Sequence, residues 1–175
     1  MDPALLKALR EQSGLRLDRE GRFWHRGGLV EHARTLAVLH QGIHRADDGR
    51  WATRIGKEWG YLEVEDAALW IRRVEPGSTP PASGEVPGAW PASDGAARAQ
   101  LASGEWVEFD PATLASGDDD ALYIRVRGER ARLTRAAQLA LSDALHEEPG
   151  GFSLELSGRR YRIGRDTGPE PVRKA

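Results

Sequence analysis

Hydrophobic residues recur at helical spacing in two internal segments of the chain. Over residues 29–45 the apolar positions follow the 3.6-residue period of an amphipathic helix, and the same period returns over residues 134–146 with a threonine suited to the N-cap. An aspartate and a proline at positions 2 and 3 favour a shorter helix at the N-terminus, which Gly14 is placed to end. The pattern therefore predicts three helices.

Alternating apolar and polar residues around short turns predict the strands. Four β-hairpins are expected, at residues 15–25, 50–64, 122–133 and 152–163. Two further strands are expected in the segments ALWIRRV and EWVEF. Between them, residues 75–97 contain five of the ten prolines and four glycines, which is typical of a linker.

The order hairpin, helix, turn, hairpin occurs twice. Leu36 and Leu139, and likewise Tyr61 and Tyr161, stand at matching points about 100 residues apart, as expected for an internal duplication. The predicted fold is α+β, with two similar small units that each place two β-hairpins around one helix. We expect a ligand site in the groove between the units, where duplicated units usually build one. The expected segments are the first unit with the N-terminal helix (1–74), a Pro/Gly-rich linker (75–97) and the second unit (98–175).

The composition restricts the chemistry. The chain has 175 residues and no cysteine, which excludes disulfides, thiolate zinc sites and cysteine nucleophiles. Its N-terminus lacks the basic start and the long apolar segment of a secretion signal, and no apolar run approaches the ~20 residues of a membrane helix. We therefore expect a cytoplasmic location and no membrane partner.

Charge is distributed unevenly. The net charge is −2, but residues 76–121 carry one basic and eight acidic groups, whereas residues 122–175 carry eleven basic and seven acidic groups. Two interpretations remain open. Either the two segments neutralise one another within the fold, which we favour, or the basic segment attracts an anionic ligand or nucleic acid. Nucleic acid is the less favoured partner, because domains that bind it are usually more basic.

No motif in the sequence points to catalysis, a metal or a cofactor. His32, His40 and His44 are spaced by multiples of four, as metal-binding histidines on a helix can be, but no HExxH glutamate accompanies them and a solvent-exposed face is the simpler interpretation. The aspartates at 118–120 lack the alternating spacing of a calcium loop. Nucleophile elbows, phosphate-binding loops and dinucleotide fingerprints do not occur in the sequence. We expect no catalytic residue, metal or cofactor, and an enzyme is the least favoured class.

Aromatic residues are concentrated in the predicted strands of the first unit, which hold four of the six tryptophans. One interpretation is that large rings fill the thin core of a small sheet; the other is a pocket with aromatic walls. Arginines beside tryptophans suit an anionic, planar ligand such as a nucleotide. The candidate ligand-binding residues are Arg22, Trp24, Trp51, Arg54, Trp59 and Tyr61.

A cluster of arginines marks the second unit. Its members are Arg125, Arg127, Arg130, Arg132 and Arg135. The first two alternate with Ile124 and Val126, which is typical of a half-exposed strand with a charged solvent face. A surface that binds phosphate groups or nucleic acid is the alternative interpretation.

The stretch LDREGRFWHRGGLVEHARTLAVLHQGIHRADDGRWATRIGKEWGYLEVEDA resembles the bacterial domain-of-unknown-function 1285 (DUF1285) family. In that family an acidic-Gly-x-aromatic-aromatic hairpin leads to a helix, an Asp-Gly turn and a strand pair ending near Val-Glu-Asp-Ala. The matching residues are Gly21, Phe23, Trp24, Asp48, Gly49 and residues 64–67, and the later ARLTRAAQLAL is similar to the family's second half. Ala68 and Leu69 depart from the Pro and Phe that the family prefers.

The resemblance implies a duplicated fold whose second half is pleckstrin-homology-like. It also implies a signalling role, with a nucleotide-type ligand between the two units and no established enzyme activity. We therefore expect a non-enzymatic ligand-binding or regulatory protein that holds an anionic, nucleotide-like small molecule. The alternative is a protein-interaction module that uses the basic second unit. The sequence does not indicate an oligomeric state.

Overall fold

The computed structural model describes residues 10–76, 97–156 and 159–168. Within these ranges the chain is mixed α+β and consists mostly of sheets, with two α-helices and two short 3-10 helices, which confirms the predicted fold class. None of the helices in these ranges has the length and apolar character needed to cross a membrane. The predicted N-terminal helix and the predicted linker fall largely on residues 1–9 and 77–96, outside the described residues.

The described residues form two compact units. The first unit contains residues 10–70 and 102–104, and the second contains residues 71–76, 97–101, 105–156 and 159–168. The boundaries expected from the sequence stay a prediction.

The first unit is one six-stranded sheet with a helix against one face. Its elements are β1 (Leu15–Leu17), β2 (Phe23–His25), β3 (Gly28–Leu29), α1 (Ala33–Gln41), β4 (His44–Arg45), β5 (Trp51–Ile55) and β6 (Glu58–Val64). The strand order is β3-β2-β1-β6-β5-β4; β1 pairs with β6 in parallel, and the other neighbours pair antiparallel. The hydroxyl of Thr53 on β5 donates to the carbonyl of Leu39, which holds α1 against that face. The buried core comprises Leu17, Phe23, Leu39, Leu62, Trp70 and Ala102.

The second unit contains a seven-stranded and a three-stranded sheet. Its elements are β7 (Leu69–Pro76, whose first two residues belong to the first unit), β8 (Ala97–Leu101), β9 (Trp106–Phe109), β10 (Ala115–Ser116), β11 (Leu122–Val126), β12 (Glu129–Leu133), α2 (Arg135–Ala140), β13 (Leu145–Glu148), β14 (Gly151–Leu156), β15 (Arg159–Arg162) and β16 (Gly164–Arg165). The strand orders are β16-β10-β11-β12-β7-β8-β9 and β13-β14-β15. Two 3-10 helices cover Pro111–Thr113 and Ser142–Ala144.

All four predicted hairpins are present. They are the antiparallel pairs β1–β2, β5–β6, β11–β12 and β14–β15. The two further predicted strands are present as β7 and β9. The sequence pattern does not indicate β8, which pairs with both of them. Its alanines, Ala97 and Ala99, are buried, but alanine is a weak strand former, so its strand depends on its neighbours.

Helix α1 is shorter than predicted at its start. It begins at Ala33, whereas the apolar spacing predicts a helix from Leu29. Leu29 instead lies on β3, where it pairs with Trp24. The side chain of His32 accepts a hydrogen bond from a first-turn amide and caps the helix. Pairing to a neighbouring strand therefore outweighs the helical periodicity of residues 29–32.

Gly42 ends α1 earlier than predicted as well. A Cβ at this position would lie 2.1 Å from the carbonyl oxygen of Arg54 on β5. The amide of Arg54 also donates to the carbonyl of Gly42 at 3.0 Å, so the two backbones are in direct contact. The chain then continues as β4, which places His44 on a strand. The three histidines expected on one helix face therefore do not share a helix.

Helix α2 ends at Ala140 and is therefore shorter than the helix predicted over residues 134–146. Thr134 caps it, as predicted, by accepting a hydrogen bond from the amide of Ala137. A 3-10 turn follows, and the last residues of the predicted helix form β13. Pairing of β13 with β14 satisfies the backbone groups of this segment in a sheet instead of a helix.

The order of elements partly repeats between the units. In the first unit hairpin β1–β2 precedes α1 and hairpin β5–β6; in the second, hairpin β11–β12 precedes α2 and hairpin β14–β15. The pairing differs, since the first unit joins both hairpins in one sheet and the second has them in separate sheets. The predicted duplication is therefore not confirmed.

Acidic residues of the middle segment pair with C-terminal arginines inside the second unit. The pairs are Arg132–Asp119 at 2.7 Å, Arg165–Asp118 at 2.8 Å and Arg127–Glu105. Burial on its own raises the pKa of Asp119, but the contact with Arg132 outweighs it and the pKa is lowered. These pairs support the interpretation that the two oppositely charged segments neutralise one another.

The substitution Gly42→Ala is expected to destabilise the protein. The new Cβ would overlap the backbone of β5, which cannot move without disturbing the sheet. We expect the free energy of unfolding, measured by urea denaturation, to fall by about 1–3 kcal/mol. Gly28→Ala is the matched control, because its Cβ would meet only the carbonyl oxygen of His25 at 3.5 Å. An equal loss in both variants would contradict this account of the helix end.

Candidate functional site

An open groove lies on the first unit. Its volume is about 540 Å³, which is within the range of small-molecule sites. All of its lining residues belong to the first unit. The lining side chains that carry rings or charges are Trp24, Trp51, Tyr61, Arg16, Arg45, Arg50, Glu11 and Glu63.

The strand register places several of these side chains on the sheet face opposite α1. Arg16 on β1 lies directly across from Trp24 on β2 and from Glu63 on β6. Directly opposed residues project to the same face, so the three side chains form a row. Tyr61, two residues before Glu63, projects to the same face. Tyr61 pairs with Ala52 on β5. The next residue, Thr53, points to the opposite face of the sheet, where its hydroxyl contacts α1.

Each aromatic ring of the groove has an arginine next to it. The pairs, with the distance from the guanidinium carbon to the ring centre, are Arg50–Tyr61 (3.4 Å), Arg45–Trp51 (3.9 Å) and Arg16–Trp24 (5.2 Å). Such contacts are attractive because the ring face is electron-rich, and they restrict the motion of the arginine. The groove therefore presents flat rings and positioned positive charges side by side.

Arg50 and Tyr61 share the carboxylate of Asp48. The hydroxyl of Tyr61 donates to Asp48 Oδ2 at 2.8 Å, and Arg50 Nε donates to the same oxygen at 2.9 Å. Arg50 also lies 3.7 Å from Glu11. The hydrogen bonds from Arg50 and Tyr61 lower the pKa of Asp48 to about 2, and the contact with Asp48 raises the pKa of Tyr61. This network keeps Arg50 at the edge of the groove.

The residues before β1 form one wall of the groove. The hydroxyl of Ser13 donates to the carbonyl of Tyr61. Gly60 permits this approach, because a Cβ there would lie 2.8 Å from the Cβ of Ser13. The guanidinium of Arg10 lies 4.1 Å from the ring centre of Trp59. These contacts hold the segment against β6.

Asp18 organises the turn of the first hairpin. Its side chain is 4% exposed. The carboxylate accepts hydrogen bonds from the amides of Glu20 and Arg22, from Arg22 Nε at 2.8 Å and from Trp24 Nε1 at 2.7 Å. Burial on its own raises the pKa of Asp18, but the hydrogen bonds from Trp24 and Arg22 outweigh it and the pKa is lowered. Asp18 thereby positions the indole of Trp24, which lines the groove.

The six predicted ligand-binding residues fall into two sets. Trp24, Trp51 and Tyr61 line the groove. The other three do not line it: Arg22 bonds to Asp18, Arg54 is exposed on β5, and Trp59 packs edge-on against Tyr61 with ring centres 5.3 Å apart. The structure thus brings together half of the predicted set.

Sequence reasoning missed the charged residues of the lining, which are Glu11, Arg16, Arg45, Arg50 and Glu63. Arg16 and Glu63 are neighbours because β1 pairs with β6, a long-range contact with no local signal. Arg45 had a signal. It lies opposite Trp51 across a short turn, and the register of that turn would have placed the two side by side.

The histidines have structural contacts. The ring of His40 packs edge-on against Phe23 with centres 4.9 Å apart, and His44 Nδ1 lies 2.8 Å from the carbonyl oxygen of Gly42. Within the ranges that the structure describes, no three acidic, histidine or cysteine side chains are grouped so as to hold a metal ion.

Two solved structures resemble the chain. A DUF1285 family protein from Silicibacter pomeroyi DSS-3 is 19% identical with a TM-score of 0.59, and the match covers 89% of this chain and 81% of that one. A DUF1285 family protein from Shewanella baltica OS155 is also 19% identical with a TM-score of 0.51, covering 75% of this chain and 91% of that one. No protein-family profile and no curated protein matches the chain. At this identity the likeness shows the fold, and it confirms the resemblance to the DUF1285 family that the sequence indicated.

The substitution Asp18→Asn is expected to weaken the fold. It replaces an acceptor-only carboxylate with an amide whose NH₂ group would face donors. We expect the free energy of unfolding in urea to fall by about 2 kcal/mol, the usual value of hydrogen bonds to a charged acceptor. Glu20→Gln is the control, because its ion pair with Arg22 is exposed and contributes little. If both variants lost the same stability, Asp18 would not have the role assigned to it.

The substitution Asp48→Asn is expected to flatten the acid dependence of stability. Because the pKa of Asp48 is about 2 in the folded protein and 3.8 ordinarily, its contribution is present above about pH 3.8 and is lost as the pH falls towards about 2. The Asp48→Asn variant lacks this pH-dependent contribution to the free energy of unfolding. Urea denaturation at a series of pH values over this window should therefore show a shallower slope for Asp48→Asn than for wild type. Asp47→Asn is the control, and an unchanged slope in Asp48→Asn would refute the prediction.

Proposed function

We propose that this chain, which has the fold of the DUF1285 proteins, binds a planar, anionic small molecule of the nucleotide class in the groove of its first unit. The observation that carries the proposal is the set of three arginine–aromatic pairs around one groove. A flat base stacks on aromatic rings, and the guanidinium fork of arginine matches phosphate and carboxylate oxygens. The role that we propose is ligand binding or regulation and not catalysis.

The charge and size of the groove suit such a ligand. Three arginines and two glutamates line it, and two of the arginines, Arg16 and Arg50, are held by the carboxylates of Glu65 and Asp48. Its volume of about 540 Å³ lies in the lower half of the range for small-molecule sites. The proposal places the ligand on the first unit, whereas the sequence led us to expect a site between the units.

The titrating groups at the groove support binding over catalysis. A general acid or base works best when its pKa lies near the working pH. The pKa of Asp48 is lowered to about 2 and that of Tyr61 is raised, so both move away from neutrality. These groups are suited to holding Arg50 in place and poorly suited to exchanging protons with a substrate.

The alternative function, a protein-interaction module that uses the arginines of the second unit, has less support. Arg130 and Asp166 form an ion pair at 2.8 Å with side chains only 10% and 8% exposed. Arg132 donates to Asp119 and to the hydroxyl of Tyr123. An arginine that neutralises a carboxylate of its own chain contributes less to attracting an acidic partner.

Three finer expectations belong to the same proposal. They are a signalling role, a cytoplasmic location and a duplicated fold with a pleckstrin-homology-like second half. The duplication has partial support from the spacing of the strands. Trp51 and Gly151 begin matching strands, as do Glu58 and Arg159, and each pair is about 100 residues apart.

The substitution Arg45→Gln tests the groove. It removes one guanidinium and leaves the ring of Trp51 in place. With AMP and GMP as probes in titration calorimetry, we expect the Kd to rise about tenfold, as for the loss of one charge-assisted hydrogen bond. Arg54→Gln is the matched control, since it removes the same charge from an exposed position on β5 outside the groove.

A thermal-shift screen over a panel of nucleotides provides the wider test. A ligand at 100 times its Kd adds about 2.7 kcal/mol to the stability of the folded state. A flat response across the panel would overturn the proposal. Equal weakening by Arg45→Gln and Arg54→Gln would show that binding depends on overall charge and not on the groove.

A further inference from the structure

Glu63 is a groove carboxylate that forms no ion pair within the described ranges. It projects from β6 into the groove and is exposed. Within the described ranges it makes no hydrogen bond and no ion pair, although Arg16 lies directly across from it. Arg16 bonds to Glu65 instead. A carboxylate in this position is available to a ligand.

The surroundings of Glu63 place it beside a stacking surface. The register sets its side chain in one row with Arg16 and Trp24, and Tyr61 projects to the same face two residues earlier on β6. A planar ring that stacks on an aromatic side chain of this face would present its edge towards the carboxylate. Glu63 is therefore placed to contact the edge of a base and not its face.

An ionised carboxylate accepts hydrogen bonds and donates none. Its two oxygens match an edge that carries two adjacent N–H donors. Guanine has such an edge, formed by its ring N1–H and its exocyclic amino group. Adenine presents an acceptor nitrogen at the corresponding ring position, which repels a carboxylate oxygen.

The charges around Glu63 favour a neutral donor edge over a cationic group. Arg16, Arg45 and Arg50 all line the same groove. A cationic group approaching Glu63 would meet these guanidinium groups, of which Arg16 and Arg50 are already bonded to Glu65 and Asp48, whereas a neutral base would meet no like charge. The same arginines attract the phosphate that a nucleotide carries.

We propose that Glu63 recognises the base of the ligand and makes the groove selective for guanine over adenine nucleotides. This inference rests on the proposed nucleotide-binding function of the groove.

The test compares GMP with AMP by titration calorimetry on the full-length protein. We expect wild type to bind GMP about tenfold more tightly than AMP, which is the usual discrimination of a two-bond contact to a base edge. Glu63→Gln keeps the size of the side chain but turns one acceptor into a donor, so the preference for GMP should disappear. Glu58→Gln is the matched control, because it removes a glutamate charge from an exposed position on the same strand outside the groove.

The outcomes separate the two proposals. Loss of the GMP preference in Glu63→Gln, with its retention in Glu58→Gln, supports the role of Glu63. Equal affinity of wild type for GMP and AMP overturns that role and leaves nucleotide binding intact, as does a preference that survives Glu63→Gln. Failure of both nucleotides to bind wild type overturns the proposed function and the inference with it.

Discussion

The parallel pairing of β1 with β6 joins the two hairpins of the first unit into one sheet. Only three residue pairs make this contact, from Leu15 with Leu62 to Leu17 with Val64. On one face it contributes Leu17 and Leu62 to the buried core. On the other it sets Arg16 next to Glu63, so the groove has its charged row only because these strands meet. One short pairing thus supports both the core and the candidate site.

Carboxylates determine which charges of the groove remain available. Glu65 bonds Arg16, and Asp48 holds Arg50 together with Tyr61. Asp18 positions an aromatic residue in the same way, because its nearly buried carboxylate accepts a hydrogen bond from the indole N–H of Trp24. These contacts limit side-chain motion before a ligand arrives, which lowers the entropic cost of binding. Glu63 differs from them in having no such structural contact within the described ranges.

The parts of the fold that could be predicted are those that depend on neighbouring residues. A short turn between alternating strands is a local signal, and every predicted hairpin is present. The ends of the helices could not be predicted in the same way. Leu29 fits a helical period but pairs with Trp24 on β2, and Gly42 ends α1 where the backbone of β5 approaches. Strand β8 has alanine, a weak strand former, at two of its apolar positions, and these alanines are buried in a strand that lies between β7 and β9 in the sheet.

By itself, the sequence determined the α+β class, the hairpins and the concentration of rings in the first unit, since all of these follow from residue type and short spacing. It showed two oppositely charged segments but left open whether they neutralise one another. It could not determine which rings line a groove. Trp59 and Trp51 are equivalent in pattern, yet Trp51 lines the groove and Trp59 packs beneath Arg10. Only the tertiary structure decided this, because Trp59 projects to the same face as Tyr61 but contacts Arg10, a residue distant in the chain.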